Sequence, residues 1–249
     1  MAEGRLIPHH GEAIVLRTWP FHEADLLISF FTRDQGRVKG VARHAMKSRR
    51  RFGGALEPAT HVRAHYTERP RQELVRLDNF EILWSPLTAP IDYLRTAGLQ
   101  LVVEVLEEAM PELAPEDNIF RLSLTVLTAM EAGRVWLPVT YFCLWMNRLM
   151  GWMPELGHCT VCGLDLRGQT VWWSPAGDGV TCHDDRRAGS RALSAESVAE
   201  SYRIARSSLP QLAEEAWPEA RAKDLRAFAI GTLERHLERR LRSAGALQQ

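Results

Sequence analysis

Five short strand-like segments, separated by turn signals, make up the first 84 residues of the chain. Apolar residues recur in them at strand-like positions, and turn pairs such as Trp19-Pro20 and Gly53-Gly54 lie between them. The predicted strands are 12–19, 25–32, 37–44, 60–66 and 73–83. Five strands in so short a span predict a small barrel, and an OB-fold is a barrel that also presents a face to single-stranded nucleic acid. Strand count alone leaves an SH3-like barrel open.

Beyond Trp84 the apolar spacing becomes helical. Two helical runs lie before and after Pro111. A third helix is predicted from Val139 to about Met150, and a last long helix over residues 218–242. Between them, residues 155–187 are rich in Gly, Cys, Trp and Asp and have no helical period, which indicates an insertion.

These patterns together predict an α+β multi-domain fold, in which an N-terminal OB-fold β-barrel is followed by a helical domain with an inserted zinc-ribbon-like knuckle. The expected division is an OB-fold nucleic-acid-binding domain at 1–84, a helical domain at 85–154 and 188–249, and the knuckle at 155–187.

The cysteines are spaced like the ligands of a metal site. Cys159-Thr-Val-Cys162 is followed, after a longer spacer, by Cys182-His-Asp-Asp185. This is the layout of a structural zinc site, with Asp185 in place of the fourth cysteine. His183 and His158 are alternative fourth ligands, and a degenerate knuckle without metal, its cysteines packed on nearby tryptophans, is a further alternative.

Cys143 lies in an apolar helical run and is predicted to be a core residue. A chain of 249 residues with 45% hydrophobic residues can bury a core without disulfides. No apolar run is long enough for a membrane span, and the first residues do not resemble a secretory signal. We therefore expect a cytoplasmic protein with reduced thiols and no membrane partner.

Charge is segregated along a chain whose formal net charge is zero. Residues 33–51, the basic segment, are strongly cationic, whereas residues 104–117 are acidic. A local basic surface on a neutral protein follows, suited to phosphates. The predicted DNA-binding residues are Arg37, Lys39, Arg43, Lys47, Arg49, Arg50 and Arg51, and a solvated charge run is the alternative.

Aromatic side chains near the basic segment could stack on nucleic-acid bases. Phe30, Phe31, Phe52 and Tyr66 are the candidates, although most of them are expected in the core. Arginines and Lys223 of the last helix extend the basic track if they share one face, and a solvated helix surface is the alternative.

We expect no catalytic function. The sequence contains no P-loop, no G-x-S-x-G elbow and no dinucleotide glycine fingerprint. Three cysteines plus water could form a catalytic zinc site, and His10-Gly11-Glu12 matches half of a zinc deaminase signature. That triplet lies far upstream of the cysteines, and its Glu12 begins the first predicted strand, so we reject this interpretation.

The N-terminal run EAIVLRTWPFHEADLLISFFTRDQGRVKGVARHAMKSRRRFGGALEPAT resembles the RecO family of bacterial recombination mediators. The matching features are an E-x-D step, F-T-R-x-x-G, the K-G-x-x-R of Lys39–Arg43, Ser48-Arg49 and a following L-E-P. The later helices and LGHCTVCG also fit the family, so the resemblance covers most of the chain.

The resemblance implies a DNA repair mediator that binds single- and double-stranded DNA, anneals complementary strands, contacts single-strand-binding protein and works with RecR to help RecA load. A nucleoid-associated, cytoplasmic location follows. Asp185 departs from the four-cysteine form of many members, which bears on zinc occupancy. On physical grounds an RNA-binding or ribosome-associated module is the rival, because a barrel with a zinc ribbon suits RNA equally well. Oligomeric state and the RecR contact surface stay open.

Overall fold

The computed structural model describes residues 6–48, 51–69, 72–90, 92–130 and 134–247. The chain forms two compact units, Met1–Ala132 and Gly133–Gln249. Within the described ranges, none of the helices combines the length and apolar character needed to cross a bilayer.

The first unit contains a closed five-stranded barrel in the order β1-β2-β3-β5-β4. The strands are β1 Ile7–Pro20, β2 Leu26–Thr32, β3 Gly36–Ala42, β4 His61–Glu68 and β5 Val75–Trp84. All pairings are antiparallel except β3 with β5, so the sheet is mixed. The predicted strands are confirmed within a few residues, except that β1 begins five residues earlier than expected. The barrel is OB-fold-like in strand number and order.

Alternating burial along the strands explains why this sequence closes into a barrel. In β3, buried and half-buried residues alternate strictly from Gly36 to Ala42. The inward residues include Phe30, Phe52, Tyr66 and Phe80, whose rings meet edge to face. The predicted stacking candidates Phe30, Phe52 and Tyr66 are therefore core residues.

The fourth stacking candidate, Phe31, is also fully buried, and its ring lies 5.8 Å from that of Phe120. The expectation that some of the four aromatic residues are free to stack on bases is wrong. Their hydrophobic rings stabilise the fold by burial, and the packing leaves no face for a ligand.

A glycine allows the barrel to close. Gly40 in β3 pairs with Val75 in the short parallel ladder between β3 and β5. A Cβ at residue 40 would lie 2.6 Å from Cγ2 of Val75 and 2.7 Å from Cδ2 of Leu77. The close approach of the two strands therefore requires a residue without a side chain.

Two helices complete the first unit: α1 Tyr93–Ala109 and α2 Asp117–Ala129. The Asp92 side chain caps α1 by accepting a hydrogen bond from the Arg95 backbone N–H at 2.7 Å. Contacts between α1 and strands β1 and β2 place the acidic end of α1 beside the barrel.

The second unit is mainly helical. Its helices are α3 Trp136–Leu149, α4 Ala195–Ile204, α5 Leu209–Leu212 and α6 Lys223–His236, and its short strands β6 Val171–Trp173 and β7 Arg191–Leu193 form a two-stranded sheet. Helices α3 and α6 pack together, and Cys143 of α3 is fully buried, which confirms it as a core residue. No helix occurs between α3 and α4, as predicted for residues 155–187.

The last helix is shorter than the predicted span 218–242. It begins after Ala222 and ends at His236, and Glu238 has a φ of 53°. Left-handed backbone at Ala222 and Glu238 interrupts the helical hydrogen-bond ladder at both ends, although the apolar spacing continues.

The predicted division into 1–84, 85–154 with 188–249, and 155–187 separates segments by folding type. The two compact units are a different partition, because α1 and α2 belong with the barrel. The three-part division stays a prediction about folding type.

Candidate nucleic-acid interface and metal centre

The first part of the basic segment is bound to the acidic segment of the same unit. Arg37 Nη1 lies 3.5 Å from Glu107 Oε1 and 3.3 Å from Glu112 Oε1. Its Nε donates to the Met110 carbonyl at 2.9 Å, and its side chain is only 14% exposed. Arg33 likewise pairs with Asp117 at 2.7 Å. These contacts neutralise much of the predicted charge track.

Lys39 is also paired. Its Nζ donates to Glu112 Oε1 at 2.8 Å, and this hydrogen bond lowers the pKa of the Glu112 carboxyl. Glu107 behaves differently, because burial raises the pKa of its carboxyl although Ser29 Oγ donates to it. The sequence shows both charge runs but not that they face each other.

The later part of the basic segment is more accessible. Arg43 and Lys47 are exposed and pair with no carboxylate of the described residues. Arg51 turns back on the loop, where it donates to the Arg43 carbonyl and to Ser48 Oγ, and its guanidinium lies 5.1 Å from the Phe52 ring. Predicted residues Arg49 and Arg50 lie outside the described residues. Of the seven predicted DNA-binding residues, Arg43 and Lys47 are therefore the described ones best placed to meet phosphate.

Arg43 also lines a cavity of about 510 Å³, here called the barrel-mouth cleft. The β1–β2 turn contributes Phe21 and His22, and the β4–β5 connection contributes Arg69. These two connections and the strand 2–3 face are where OB-folds meet nucleic acid. The Phe21 and His22 rings contact each other edge to face at 4.3 Å.

Arg69 is the most informative residue of the barrel-mouth cleft. Its Nε is buried and has no hydrogen-bond acceptor among the residues that the structure describes. A buried guanidinium N–H without an acceptor is costly, and a phosphate oxygen would satisfy it. Sequence reasoning missed Phe21, His22 and Arg69, because only the barrel's pairing order brings the two connections together.

Three of the basic residues near the C-terminus are engaged within their own unit. Arg226 is 1% exposed and lies over the Trp136 ring. Arg221 pairs with Glu200 and Glu215, and Arg235 pairs with Asp178. The interpretation of the last helix as an extension of the basic track is therefore wrong for these residues, which are used within their own unit.

The predicted metal ligands lie together. The ligand atoms of Cys159, Cys162, Cys182 and Asp185 are all within 4.8 Å of one another, and this group could hold a metal ion. Cys159 Sγ and Cys182 Sγ each lie 3.2 Å from Asp185 Oδ2, and Cys162 Sγ lies 3.9 Å from Cys182 Sγ. Zinc–sulfur bonds of about 2.3 Å place tetrahedral sulfur ligands about 3.8 Å apart, so the spacing fits.

Local backbone geometry presents the sulfurs to one point. After Cys162, Gly163 has a φ of 75°, and its N–H donates to the Cys159 carbonyl at 3.0 Å. The Cys182 N–H donates to Cys159 Sγ at 3.3 Å. The tight turn therefore aims both sulfurs of the Cys-x-x-Cys pair inward, and the chain returns at Cys182.

The alternative fourth ligands point elsewhere. His158 Nδ1 lies 2.8 Å from a Glu155 oxygen, and His183 Nδ1 lies 3.2 Å from an Asp184 oxygen. Neither histidine belongs to the group that includes Asp185. The geometry therefore favours Asp185 over both histidines.

The thiols donate hydrogen bonds to the Asp185 carboxylate. Hydrogen bonds from Cys162, Cys159 and Cys182 lower the pKa of Asp185, and the hydrogen bond to Asp185 raises the pKa of Cys162 to about 12. Burial raises the pKa of Cys159, but backbone N–H groups offset this and lower it overall. Four acidic ligands this close ionise together only beside a cation, which is the environment that a metal provides.

Two family models together match most of the chain. A family model described as "Recombination protein O N terminal" matches residues 6–86, and one described as "Recombination protein O C terminal" matches residues 91–244. The chain belongs to the RecO family. The expectation from the N-terminal motifs is thereby confirmed.

Relatives of the RecO family align over nearly the whole chain. A protein named "DNA repair protein RecO" from Koribacter versatilis (strain Ellin345) is 51% identical over 93% of this chain and 94% of its own length. Proteins of the same name from Myxococcus xanthus (strain DK1622) and Anaeromyxobacter sp. (strain Fw109-5) are each 32% identical, over 97% and 92% of this chain and 97% and 91% of their own lengths.

Proposed function

We propose that this RecO-family chain is a DNA repair and recombination mediator. It binds single- and double-stranded DNA, anneals complementary strands and, with RecR, helps RecA load onto DNA coated with single-strand-binding protein. The observation that carries the proposal is the alignment, over nearly the full length, with relatives named DNA repair protein RecO. The proposed location is the cytoplasm, in association with the nucleoid.

The barrel-mouth cleft supports the DNA-binding part of this proposal. Arg43 and Lys47 supply exposed cations, Arg69 supplies an unsatisfied N–H, and Phe21 and His22 supply aromatic surface. Single-stranded nucleic acid is held by this combination of cations and rings. Arg37 and Lys39, also in the predicted DNA-binding set, pair with Glu112 in the free protein. They can contact DNA only when phosphate replaces this carboxylate.

The proposed annealing mechanism is electrostatic and needs no catalytic residue. Cations at the barrel mouth neutralise phosphates on two strands, which lowers the repulsion between the strands and releases counterions. Contacts with backbone and stacked bases at the protein surface leave other base edges free to pair. The proposed function is therefore that of a binding protein rather than an enzyme.

We further propose that Cys159, Cys162, Cys182 and Asp185 hold a structural zinc ion. Zinc would cross-link the two halves of the knuckle and add binding free energy to folding. Four protein ligands would complete the coordination shell of such an ion, which is characteristic of structural rather than catalytic sites. With zinc bound, residues 155–187 would form a zinc-ribbon-like knuckle.

The test compares two double variants that remove the same charge. Arg43→Ala/Lys47→Ala should weaken binding to single-stranded DNA, slow annealing and reduce the salt slope by about 1.4 if each residue contacts one phosphate. Arg37→Ala/Lys39→Ala removes residues paired with Glu112 and should change the salt slope less. Fluorescence anisotropy over a salt series measures affinity, and circular dichroism checks folding.

Two results would overturn the proposal. One is wild-type protein that neither binds single-stranded DNA nor anneals it. The other is a strong preference for structured RNA over single-stranded DNA at equal salt, which would support an RNA-binding module instead.

A further inference from the structure

Strand β6 turns its two tryptophans to opposite faces. Trp173 and Val171 are buried, and Trp173 packs edge to face on Phe228 with ring centroids 5.4 Å apart. Successive side chains of a strand alternate between faces, so Trp172 lies on the side away from that contact. Trp172 is only half-buried. The fold thus buries the Trp173 indole in the unit's core and leaves part of the preceding Trp172 indole accessible.

The backbone at Trp172 is held on both sides. Its N–H donates to the Thr181 carbonyl at 3.0 Å, and the Thr181 N–H donates back at 2.8 Å. On the other side, Trp172 lies opposite Ala192 of β7. Ala192 is small and exposed, so the neighbouring strand does not cover the indole. A half-buried tryptophan on a backbone fixed from two directions is pre-organised for contact with a ligand.

One arginine covers the Trp172 ring, and a second follows it directly in sequence. The Arg186 guanidinium carbon lies 4.8 Å from the centre of the Trp172 ring, and His183 contacts the ring edge at 6.0 Å. Arg187 is exposed, and its backbone forms a closed turn with Ser190, whose N–H donates to the Arg187 carbonyl at 3.1 Å. We name Trp172, Arg186 and Arg187 the Trp172 platform.

The arginines of the Trp172 platform differ from others in the same unit. Arg167 pairs with Asp165, and Arg235 pairs with Asp178. Neither Arg186 nor Arg187 pairs with a carboxylate in the described part of the chain. Two exposed guanidinium groups are thus free to meet an anion while one of them covers an indole.

We propose that the Trp172 platform binds single-stranded DNA. One base stacks on the Arg186–Trp172 pair, and Arg187 contacts a neighbouring phosphate. Unpaired bases stack on aromatic rings and on guanidinium planes, and arginine is suited to both stacking and phosphate contact. The inference rests on the proposed binding of single-stranded DNA, and it adds a second contact surface on the second unit.

Local charge indicates what the Trp172 platform contributes. Residues 155–187 contain five carboxylates and three arginines, so this insertion does not attract DNA by a strong positive field. Stacking must then supply most of the contact at Trp172. Removing the indole should lower affinity without changing the salt slope, whereas removing Arg187 should reduce the slope by about 0.7.

The experiment measures binding of the full-length protein to a thymine oligonucleotide over a salt series. Trp172→Ala should weaken binding about fivefold, which corresponds to the lower end of base–aromatic stacking, and Trp172→Phe should retain most of the affinity. Arg187→Ala tests the phosphate contact. Its matched control is Arg167→Ala, because Asp165 already neutralises Arg167 in the same insertion. Zinc content and thermal melting show whether each variant keeps its fold.

Photo-crosslinking supplies a readout that needs no variant. An oligonucleotide with 5-iodouracil should cross-link to wild-type Trp172, as identified by mass spectrometry. No cross-link in the 171–193 region, together with unchanged affinity of Trp172→Ala, would overturn the inference. If the wild type binds DNA and Arg43→Ala/Lys47→Ala loses that binding, the proposed function survives this failure; if the wild type does not bind DNA, both fail.

Discussion

Lys39 Nζ lies 2.8 Å from Glu112 Oε1, and the same carboxylate oxygen lies 3.3 Å from Arg37 Nη1. One glutamate therefore pairs with two cations that the sequence assigns to DNA. DNA phosphate and the Glu112 carboxylate would compete for the same donors. The acidic segment thus weakens the basic surface of β3 in the free protein.

Glu112→Gln should strengthen binding to single-stranded DNA. Without the carboxylate charge, Lys39 and Arg37 can contact phosphate, and the salt slope should increase by up to about 0.7 for each added contact. Stability should fall by less than about 1 kcal/mol, because exposed ion pairs contribute little. Anisotropy over a salt series measures the effect. Glu116→Gln is the matched control, and equal affinity of both variants would contradict the prediction.

Stability should decrease at mildly acidic pH because of His61. Burial lowers the pKa of His61, although Glu12 Oε2 at 3.0 Å opposes the shift. The folded state therefore binds a proton less readily than the unfolded chain, whose histidine pKa is about 6.5. The His61 contribution is complete above about pH 6.5 and is lost as pH falls through the lower folded pKa.

His61→Asn should flatten that part of the stability profile. Urea midpoints between about pH 5 and 8 measure it, since the slope with pH reports proton uptake on unfolding. His10→Asn, at an exposed position of β1, is the control variant. A wild-type profile without any decrease below about pH 6.5 would refute the assignment.

Replacing Asp185 should change metal retention in both directions. Asp185→Cys should slow zinc release, because thiolate is a softer ligand than carboxylate, and Asp185→Ala should weaken affinity by at least about tenfold. A chromogenic chelator assay measures release, and Asp184→Ala is the control, since Asp184 is almost fully exposed. Purified wild-type protein without zinc would count against a structural zinc site.

Gly40→Ala should destabilise the barrel. The new Cβ would lie within 2.9 Å of the Val75 carbonyl oxygen as well as closer to two side chains, so β3 and β5 would have to separate. Overpacking of this kind costs about 1–3 kcal/mol. Gly54→Ala is the control, because a Cβ there meets no atom within 4 Å. Urea denaturation compares them, and equal midpoints would contradict the close-approach argument.

Local patterns predict the strands and the residues that cluster with the three cysteines. Period-two alternation and turn pairs are encoded within a few residues, so β2 and β3 were located closely. The Cys-x-x-Cys spacing likewise predicts that Cys159, Cys162 and Cys182 lie together, and the same offset adds Asp185 to the group. The signal for a strand lies within that strand and its turns, and the signal for the cysteine group is a spacing known from metal sites.

The remaining features depend on pairing between distant segments. Nothing within residues 33–51 shows that Glu107 and Glu112 lie against them, and neither does the spacing show that Arg69 approaches Phe21. Trp172 was also missed, because a three-residue strand is too short for a sequence period. Such features become visible only when strand order and face are known.

The order of strands in the barrel has a consequence for synthesis on the ribosome. Strand β1 pairs with β4, and β3 pairs with β5, so the barrel cannot close before residues up to Trp84 have been made. The carboxylates of Glu107 and Glu112 are translated later still. During that interval the nascent chain carries Arg37 and Lys39 before their intramolecular partners exist, beside ribosomal RNA that is itself a polyanion. Translation of α1 and the residues just after it therefore completes the charge balance of the first unit as well as its fold.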